Sequence, residues 1–321
     1  MPDIVCVGIL VADAIARHVN HLPERGKLSL VDNIELFSGG CAASTAIALS
    51  RLGVSTAIIG KVGNDGFGRF LKSALQEEKV ILDGLCIDPA TGTSASVVTV
   101  DEQGERTFLH YTGTNAVFNR EDISMELIDK CQIVFVGGAM LMPMFDGSGC
   151  ADFLKTAKAM GKLTALDTAW DSTGRWMDVL KPCMQYIDLF MPSLEEAVQL
   201  SGKKEPEEIA DVFLSMGNQN VVIKLGSKGC FIKNRKGEAY TVPAFNVHAA
   251  DTTGAGDCFC AGFLTGIHKR WNLKQCGIFA NAVGAHSIMA TGAITGIKSF
   301  EETIKFIQNN GLWPAFSGDA E

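Results

Sequence analysis

Asp251-Thr252-Thr253-Gly254-Ala255-Gly256-Asp257 runs without a break into Cys258-Phe259-Cys260-Ala261-Gly262-Phe263-Leu264. Residues 245–248 ahead of it read as a strand, and the residues behind it form an almost wholly apolar helical run. The motif therefore sits where a strand feeds a buried helix. Gly254, Ala255 and Gly256 have side chains too small to shield their amides, so unobstructed N–H groups are offered at a helix N-terminus, where the dipole favours negative charge. Asp257 adds a carboxylate in the same first turn. An anion hole beside a carboxylate suits phosphoryl transfer to a hydroxyl: the amides hold charge on the moving group and the carboxylate takes the hydroxyl proton. A helix acid after an ordinary turn would explain one Gly-x-Gly, but not the whole string.

Outward from this motif, strand-length apolar runs at 4–10, 56–61, 133–136, 163–166, 189–191 and 221–224 alternate with helical patterns at 41–52, 68–79, 151–160, 194–201 and 206–216. Such alternation predicts an α/β protein, three layers α/β/α deep, with a central mostly parallel sheet whose strands are apolar on both faces. Two regions break the pattern. Residues 94–100 and 105–111 alternate around Asp101-Glu102-Gln103-Gly104 and read as an antiparallel hairpin. Residues 14–38 hold strand-like pieces at 27–31 and 34–37. Together they suggest a small β-sheet lid built from about 14–38 and 90–115 on a single domain spanning 1–321. Residues 317–321 read as a frayed tail.

Composition narrows the function. With 321 residues, 47% hydrophobic and 20% charged, the chain is not a disordered one. The net charge is −8, from 28 Lys and Arg against 36 Asp and Glu, and no basic run reaches four residues, so nucleic acid is not an expected partner. Ten cysteines are spread evenly with no Cys-x-x-Cys, and no basic stretch follows Met1. They read as reduced, buried thiols of a cytoplasmic protein, with no zinc-ligand spacing. Residues 276–297 carry no formal charge, but Asn281, His286, Ser287, Thr291 and Thr295 make them a core helix and a Gly-rich loop rather than a membrane span. Neither a Walker A string nor a well-placed Gly-x-Gly-x-x-Gly is present.

Several further residues stand where ligands bind in open α/β sheets, at the C-terminal ends of strands. Asp13 follows the first strand and could accept two hydroxyl hydrogen bonds. Gly39-Gly40 opens the 41–52 helix and lets a ligand touch backbone, and Gly53 closes that helix. Ser193 and Glu196 form a capping box at the start of the 194–201 helix. Lys224-Leu225-Gly226-Ser227-Lys228-Gly229 turns closely after a strand, with Lys224 free to reach a phosphate or to sit as a surface charge. Asp167 stands just after the 163–166 strand, and Asn281 is a polar residue in an apolar helix.

The 251–262 string resembles the C-terminal signature of the ribokinase-like (PfkB) carbohydrate kinases. Gly39-Gly40-Cys41-Ala42-Ala43-Ser44 resembles their N-terminal signature, and Gly63-Asn64-Asp65-Gly66-Phe67-Gly68 their Gly-x-Asp-x-x-Gly loop. The resemblance runs from about residue 4 to 310. It implies a ribokinase-like kinase that moves a phosphoryl group from ATP, with magnesium, to a hydroxyl of a sugar or sugar acid, usually a primary one. Asp257 would be the base, and the amides of Gly254, Ala255, Gly256 and Asp257 the anion hole. Asp13, Gly39, Gly40, Ser44 and Asn115 would face the sugar; Ser44 stands where relatives carry Asn, which sets this site apart from ribose recognition. Ser193 (again an Asn in relatives) and Glu196 would serve magnesium-bound water near the phosphates. Lys224, Gly226, Ser227, Gly229 and Asn281 would serve the nucleotide, and Asp251 and Thr253 a potassium ion. A homodimer through the lid is also implied, with no membrane contact. A nucleoside kinase of the same superfamily and a non-catalytic sugar- or nucleotide-binding regulator are the alternatives; the intact Asp257 and glycines speak against the regulator.

Overall fold

The computed structural model describes residues 1–103 and 105–312. Gly104 and the expected tail at 317–321 lie outside them. In chain order the strands are β1 (Ile4–Gly8), β2 (Val11–Arg17), β3 (Asn33–Gly39), β4 (Thr56–Gly63), β5 (Ile81–Asp88), β6 (Ala95–Val100), β7 (Arg106–Tyr111), β8 (Ile133–Ala139), β9 (Leu163–Thr168), β10 (Leu189–Phe190), β11 (Asn220–Lys224), β12 (Cys230–Asn234) and β13 (Ala239–Val242). Nine of these form one sheet in the order β13-β12-β11-β10-β9-β8-β1-β4-β5. The seven strands from β5 to β11 in that order run parallel, and the β12–β13 hairpin is added antiparallel to β11.

The apolar strands follow from burial on both faces. All five residues of β1, Ile-Val-Cys-Val-Gly, are buried. Ile4 and Cys6 point into one core with the helices Cys41–Arg51, Ala255–His268 and Leu273–Ile288. Val5 and Val7 point into the opposite core with Ser148–Ala159 and Pro206–Ser215. A parallel sheet covered on both sides has no polar face to show. The chain crosses to β4 on one side of β1 and returns to β8 on the other, so strand order reverses beside β1. That reversal opens a crevice at the C-terminal strand ends.

A second sheet, in the order β3-β2-β6-β7, stands apart from the first. The chain leaves the large sheet at Gly8 and enters the small one at Val11, so the single strand expected over 4–10 is two pieces. Three other differences have local causes. Residues 27–31 form no strand: Leu28 and Leu30 are 81% and 91% exposed, so no face is buried to hold them extended. Residues 245–248 form no strand either. The ladder ends at Val242 because the Asn281 amide donates to the Val242 and Pro243 carbonyls, and Pro243 has no N–H to offer. The strands β5, β12 and β13 carry a lysine, aspartates and a glycine among their apolar residues, and simple alternation does not reveal them. Among the described residues no helix is long and apolar enough to cross a membrane. All ten cysteines are unpaired thiols.

The two cores can be tested separately. Phe153 lies fully buried in the core on the face away from the Ala255–His268 helix. Phe153→Ala should lower stability by about 3–5 kcal/mol in urea denaturation while leaving turnover per folded molecule unchanged.

Candidate functional site

The helix Ala255–His268 is buried without a break from residue 258 to 266, and its first turn, residues 255–257, is only half-buried. Gly254 caps it in the left-handed region at φ 70°, and a Cβ there would stand 2.6 Å from the Ala293 carbonyl oxygen. Only glycine lets the loop pass this close, and within it the Ala255 N–H donates to the Thr252 carbonyl at 3.3 Å. Asp257 is the one acid of the first turn. The Thr45 hydroxyl donates to its carbonyl at 3.2 Å, and the Cys41 thiol hydrogen-bonds its carboxylate. Burial pushes the Asp257 carboxyl above the ordinary carboxylate range; the Lys224 charge and the Cys41 thiol pull it partly back, and Glu196 pushes the same way as burial. A carboxylate raised this way is a stronger base.

Beneath the helix terminus lies a charge cluster. Lys224, the last residue of β11, places Nζ 2.6 and 2.8 Å from the two carboxylate oxygens of Asp167 in β9. Its side chain is 13% exposed, so it is not a surface charge. A Cβ on Gly256 would lie 3.3 Å from Nζ, which puts the ammonium directly under the Gly254-Ala255-Gly256 loop. Burial opposes the Lys224 charge, but Asp167 and its neighbours outweigh it and hold the lysine protonated. The Cys260 thiol donates to Asp167 at 3.4 Å. Ser193 and Glu196 form the expected capping box: Ser193 N donates to Glu196 Oε2 at 3.0 Å, and Glu196 N to Ser193 Oγ at 3.3 Å. Thr168 donates to the same Oε2 at 3.0 Å, so Glu196, buried in this cluster, is rigidly aimed.

On one side of the terminus is a cavity of about 660 Å³. It is lined by Lys224, Gly226, Ser227, Gly229, Ala255, Gly256 and Asn281 together with apolar Phe245, Val247, Phe259 and Ile288. The structure thus gathers residues that are far apart in sequence. Asn281 reaches this cavity, but its amide is engaged with the Val242 and Pro243 carbonyls. Ser193 and Glu196 do not line it.

On the other side stands Asp13. Ser96 of the neighbouring strand hydrogen-bonds its carboxylate, and Ser96 also meets His110 at 3.1 Å. A Cβ on Gly39 would fall 2.2 Å from Asp13 Oδ2, so the absent side chain is what lets the Asp13 carboxylate sit there. Cys41, which touches Asp257, directly follows Gly40, so Asp13 and Asp257 belong to one continuous wall. Ser44 is fully enclosed, and its hydroxyl has no protein partner among the described residues. Asn115, expected to face the sugar, is engaged with main chain. It is 3% exposed and clamps the main chain of Leu10, accepting from its N–H at 3.2 Å and donating to its carbonyl at 3.0 Å.

Asp251 and Thr253 also depart from expectation. Asp251 accepts from Thr253 N and Gly292 N, each at 2.8 Å, and forms an ion pair with Arg106 of the second sheet. A guanidinium occupies the carboxylate that a potassium ion would need, and Thr253 meets Asp251 through its amide. This donor set does not fit a cation at Asp251.

The family model described as "pfkB family carbohydrate kinase" matches residues 1–299. The chain belongs to the pfkB family of carbohydrate kinases. It is 30% identical over 312 residues to "Probable fructokinase-5" of Arabidopsis thaliana, covering 91% of this chain and 95% of that protein. It is 28% identical over 290 residues to "Fructokinase-1" of Oryza sativa subsp. japonica, covering 84% and 88%. The fold matches ribokinase of Arabidopsis thaliana, solved with ribose and ATP, at TM-score 0.83 and 24% identity over 96% of this chain and 99% of that one. Ribokinase of Thermotoga maritima matches at TM-score 0.82 and 25% identity, over 96% and 100%.

For this carbohydrate kinase, sequence reading missed Cys41 and Cys260 as parts of the site, and it named Arg106, with Arg17 and Arg25, only as an arginine that a charged substrate would want in the cleft. The cysteines looked like eight other core thiols, and Arg106 had no local pattern to place it. Asp13 yields a measurable consequence. Burial, partly offset by Ser96 and Arg106, raises its carboxyl from 3.8 to about 6. Folding therefore carries a cost that is absent below 3.8, grows as pH rises, and is complete above about 6. Asp13→Asn should raise stability by about 1–3 kcal/mol at pH 8 and by much less at pH 4.5, read from urea melts at the two values.

Proposed function

We propose that this carbohydrate kinase transfers the γ-phosphoryl group of ATP to a hydroxyl, most simply a primary one, of a neutral sugar, with Asp257 as general base. The observation that carries the reading is the position of Asp257. It joins the wall formed by Asp13, Gly39 and Gly40 on one side to the cavity formed by Lys224, Gly226, Ser227, Gly229, Ala255 and Gly256 on the other. A substrate carboxylate or phosphate would want an arginine, and Arg106 is already committed to Asp251. That favours a neutral sugar over a sugar acid, and the fructokinase relatives make fructose the first to try.

In this mechanism Asp13 and the Gly39-Gly40 backbone hold sugar hydroxyls, and Ser44 supplies a buried hydroxyl behind them. Asp257 accepts the proton as the sugar oxygen attacks phosphorus, helped by its raised affinity for a proton. The amides of Gly254, Ala255, Gly256 and Asp257 hold the charge on the transferring group, with Lys224 below them. The apolar walls at Phe245, Val247 and Phe259 suit an adenine ring, and the loop of Gly226, Ser227 and Gly229 suits the rest of the nucleotide. Magnesium, when bound with ATP, neutralises phosphate charge. Glu196 fits it as a hard oxygen donor, because both of its protein bonds fall on Oε2. The second sheet acts as the lid: Asp13 and Arg106 lie on the face turned to the site, and closure excludes water.

ADP release from MgATP across pentoses, hexoses, sugar acids and nucleosides tests the reading. Turnover with one sugar class, lost by several orders of magnitude in a folded Asp257→Asn variant, is expected. Near-normal turnover in that variant would sink the base assignment, and a preference for nucleosides would transfer the reading to that substrate class.

A homodimer is the second part of the proposal. The strand registers put Leu36, Val97 and Leu109 on the outward face of the second sheet, where they are 43%, 49% and 68% exposed. Ile34 and Tyr111 extend this apolar face. A second copy would bury it. Sedimentation should show a dimer that Leu109→Glu weakens; a monomer at all concentrations would remove this part.

A further inference from the structure

Arg106 begins β7 in the second sheet, and its guanidinium meets Asp251 in the loop ahead of the Ala255–His268 helix. The Asp251 side chain is 1% exposed and that of Arg106 19%. Asp251 holds two loops together: Oδ1 takes the N–H of Thr253, one residue before Gly254, and Oδ2 takes the N–H of Gly292. The second loop is the one against which Gly254 packs, through Ala293. The Cys258 thiol also donates to the Ala293 carbonyl at 3.3 Å. One buried carboxylate thus sets the spacing of both segments that frame the anion hole. Burial disfavours its charge, but the two amides and the arginine more than compensate, and the carboxyl is held below its ordinary range. A charge this deep needs a partner, and among the described residues the arginine supplies it.

We propose that Arg106 is the standing counter-cation of Asp251, so that the anion hole is shaped by a side chain of the second sheet and needs no bound monovalent cation. The proposal rests on the kinase reading given above. It makes Arg106 a positioning residue that acts through Asp251. It also ties the two sheets together, because the arginine reaches Asp251 only when the second sheet lies over the loop.

The test compares potassium chloride with tetramethylammonium chloride at equal ionic strength. For the native chain, kcat should agree within about twofold between the two salts. In tetramethylammonium, Arg106→Ala should lower kcat by about tenfold or more, with a smaller change in sugar KM, while Arg106→Lys keeps most of it. Activation of the native chain by potassium of about tenfold, or an Arg106→Ala variant with unchanged kcat, overturns the proposal. Melting in the same two salts reads the site without turnover. A potassium-specific rise in Tm confined to Arg106→Ala supports the assignment, and an equal rise in both proteins overturns it. If the native chain phosphorylates no sugar in either salt, the kinase reading fails, and the melting comparison still decides the role of Arg106.

Discussion

Three carboxylates, Asp167, Glu196 and Asp257, crowd the C-terminal ends of parallel strands and the N-terminus of a buried helix. Packing like charges there needs a cation among them, and Lys224 is that cation. Its contact with both oxygens of Asp167 fixes the end of β11 against β9 across the short strand β10. The same ammonium lies under Gly256, so the floor of the site is set by an ion pair rather than by apolar packing alone. Removing one partner would leave an uncompensated charge in the interior, which is why such pairs hold a geometry even when they add little net stability.

The remainder of the site is arranged around that floor. The helix Ala255–His268 brings its amides down onto it, and its apolar flank is what sinks the helix deep enough to do so. The Cys41–Arg51 helix approaches from the other side and offers a thiol to Asp257. Its first turn follows Gly39, which lies against Asp13, and Gly40, which lies against the backbone of Ile9 and Leu10. Asp257, the Asp13 wall and the cavity beside Gly256 thereby share one contiguous surface, as the proposed transfer requires. The second sheet adds Asp13 from β2 and Arg106 from β7 on a single face, so it contributes to both sides of that surface at once.

Two buried amides show how side chains near a site can serve the backbone instead. Asn115 ties the segment after β1 to the second sheet's exit, holding the crossover that carries Asp13. Asn281 ends β13 and forces the following residues into the irregular course that lines the cavity. Both residues sit where ligand contacts were expected, and both shape the walls through main-chain bonds.

The sequence alone determined the alternation of strands and helices, the small-residue loop of Gly254, Ala255 and Gly256, the acid that follows it, and the capping box of Ser193 and Glu196. Each of these is a local property: burial on both faces demands apolar runs, close approach demands small side chains, and a helix start demands a cap. The family followed from the same local strings. Tertiary structure decided the rest. Nothing around Arg106 in the chain predicts that it meets Asp251, because the two are joined only by one sheet folding over another. Cys41 and Cys260 differ from the other thiols only in which carboxylate the fold puts beside them. Residues 27–31 and 245–248 have strand-like composition, yet the first has no face to bury and the second has its ladder capped by Asn281. Pairings across long sequence separations carry no local pattern, because their energy arises only after the chain has already brought the partners together.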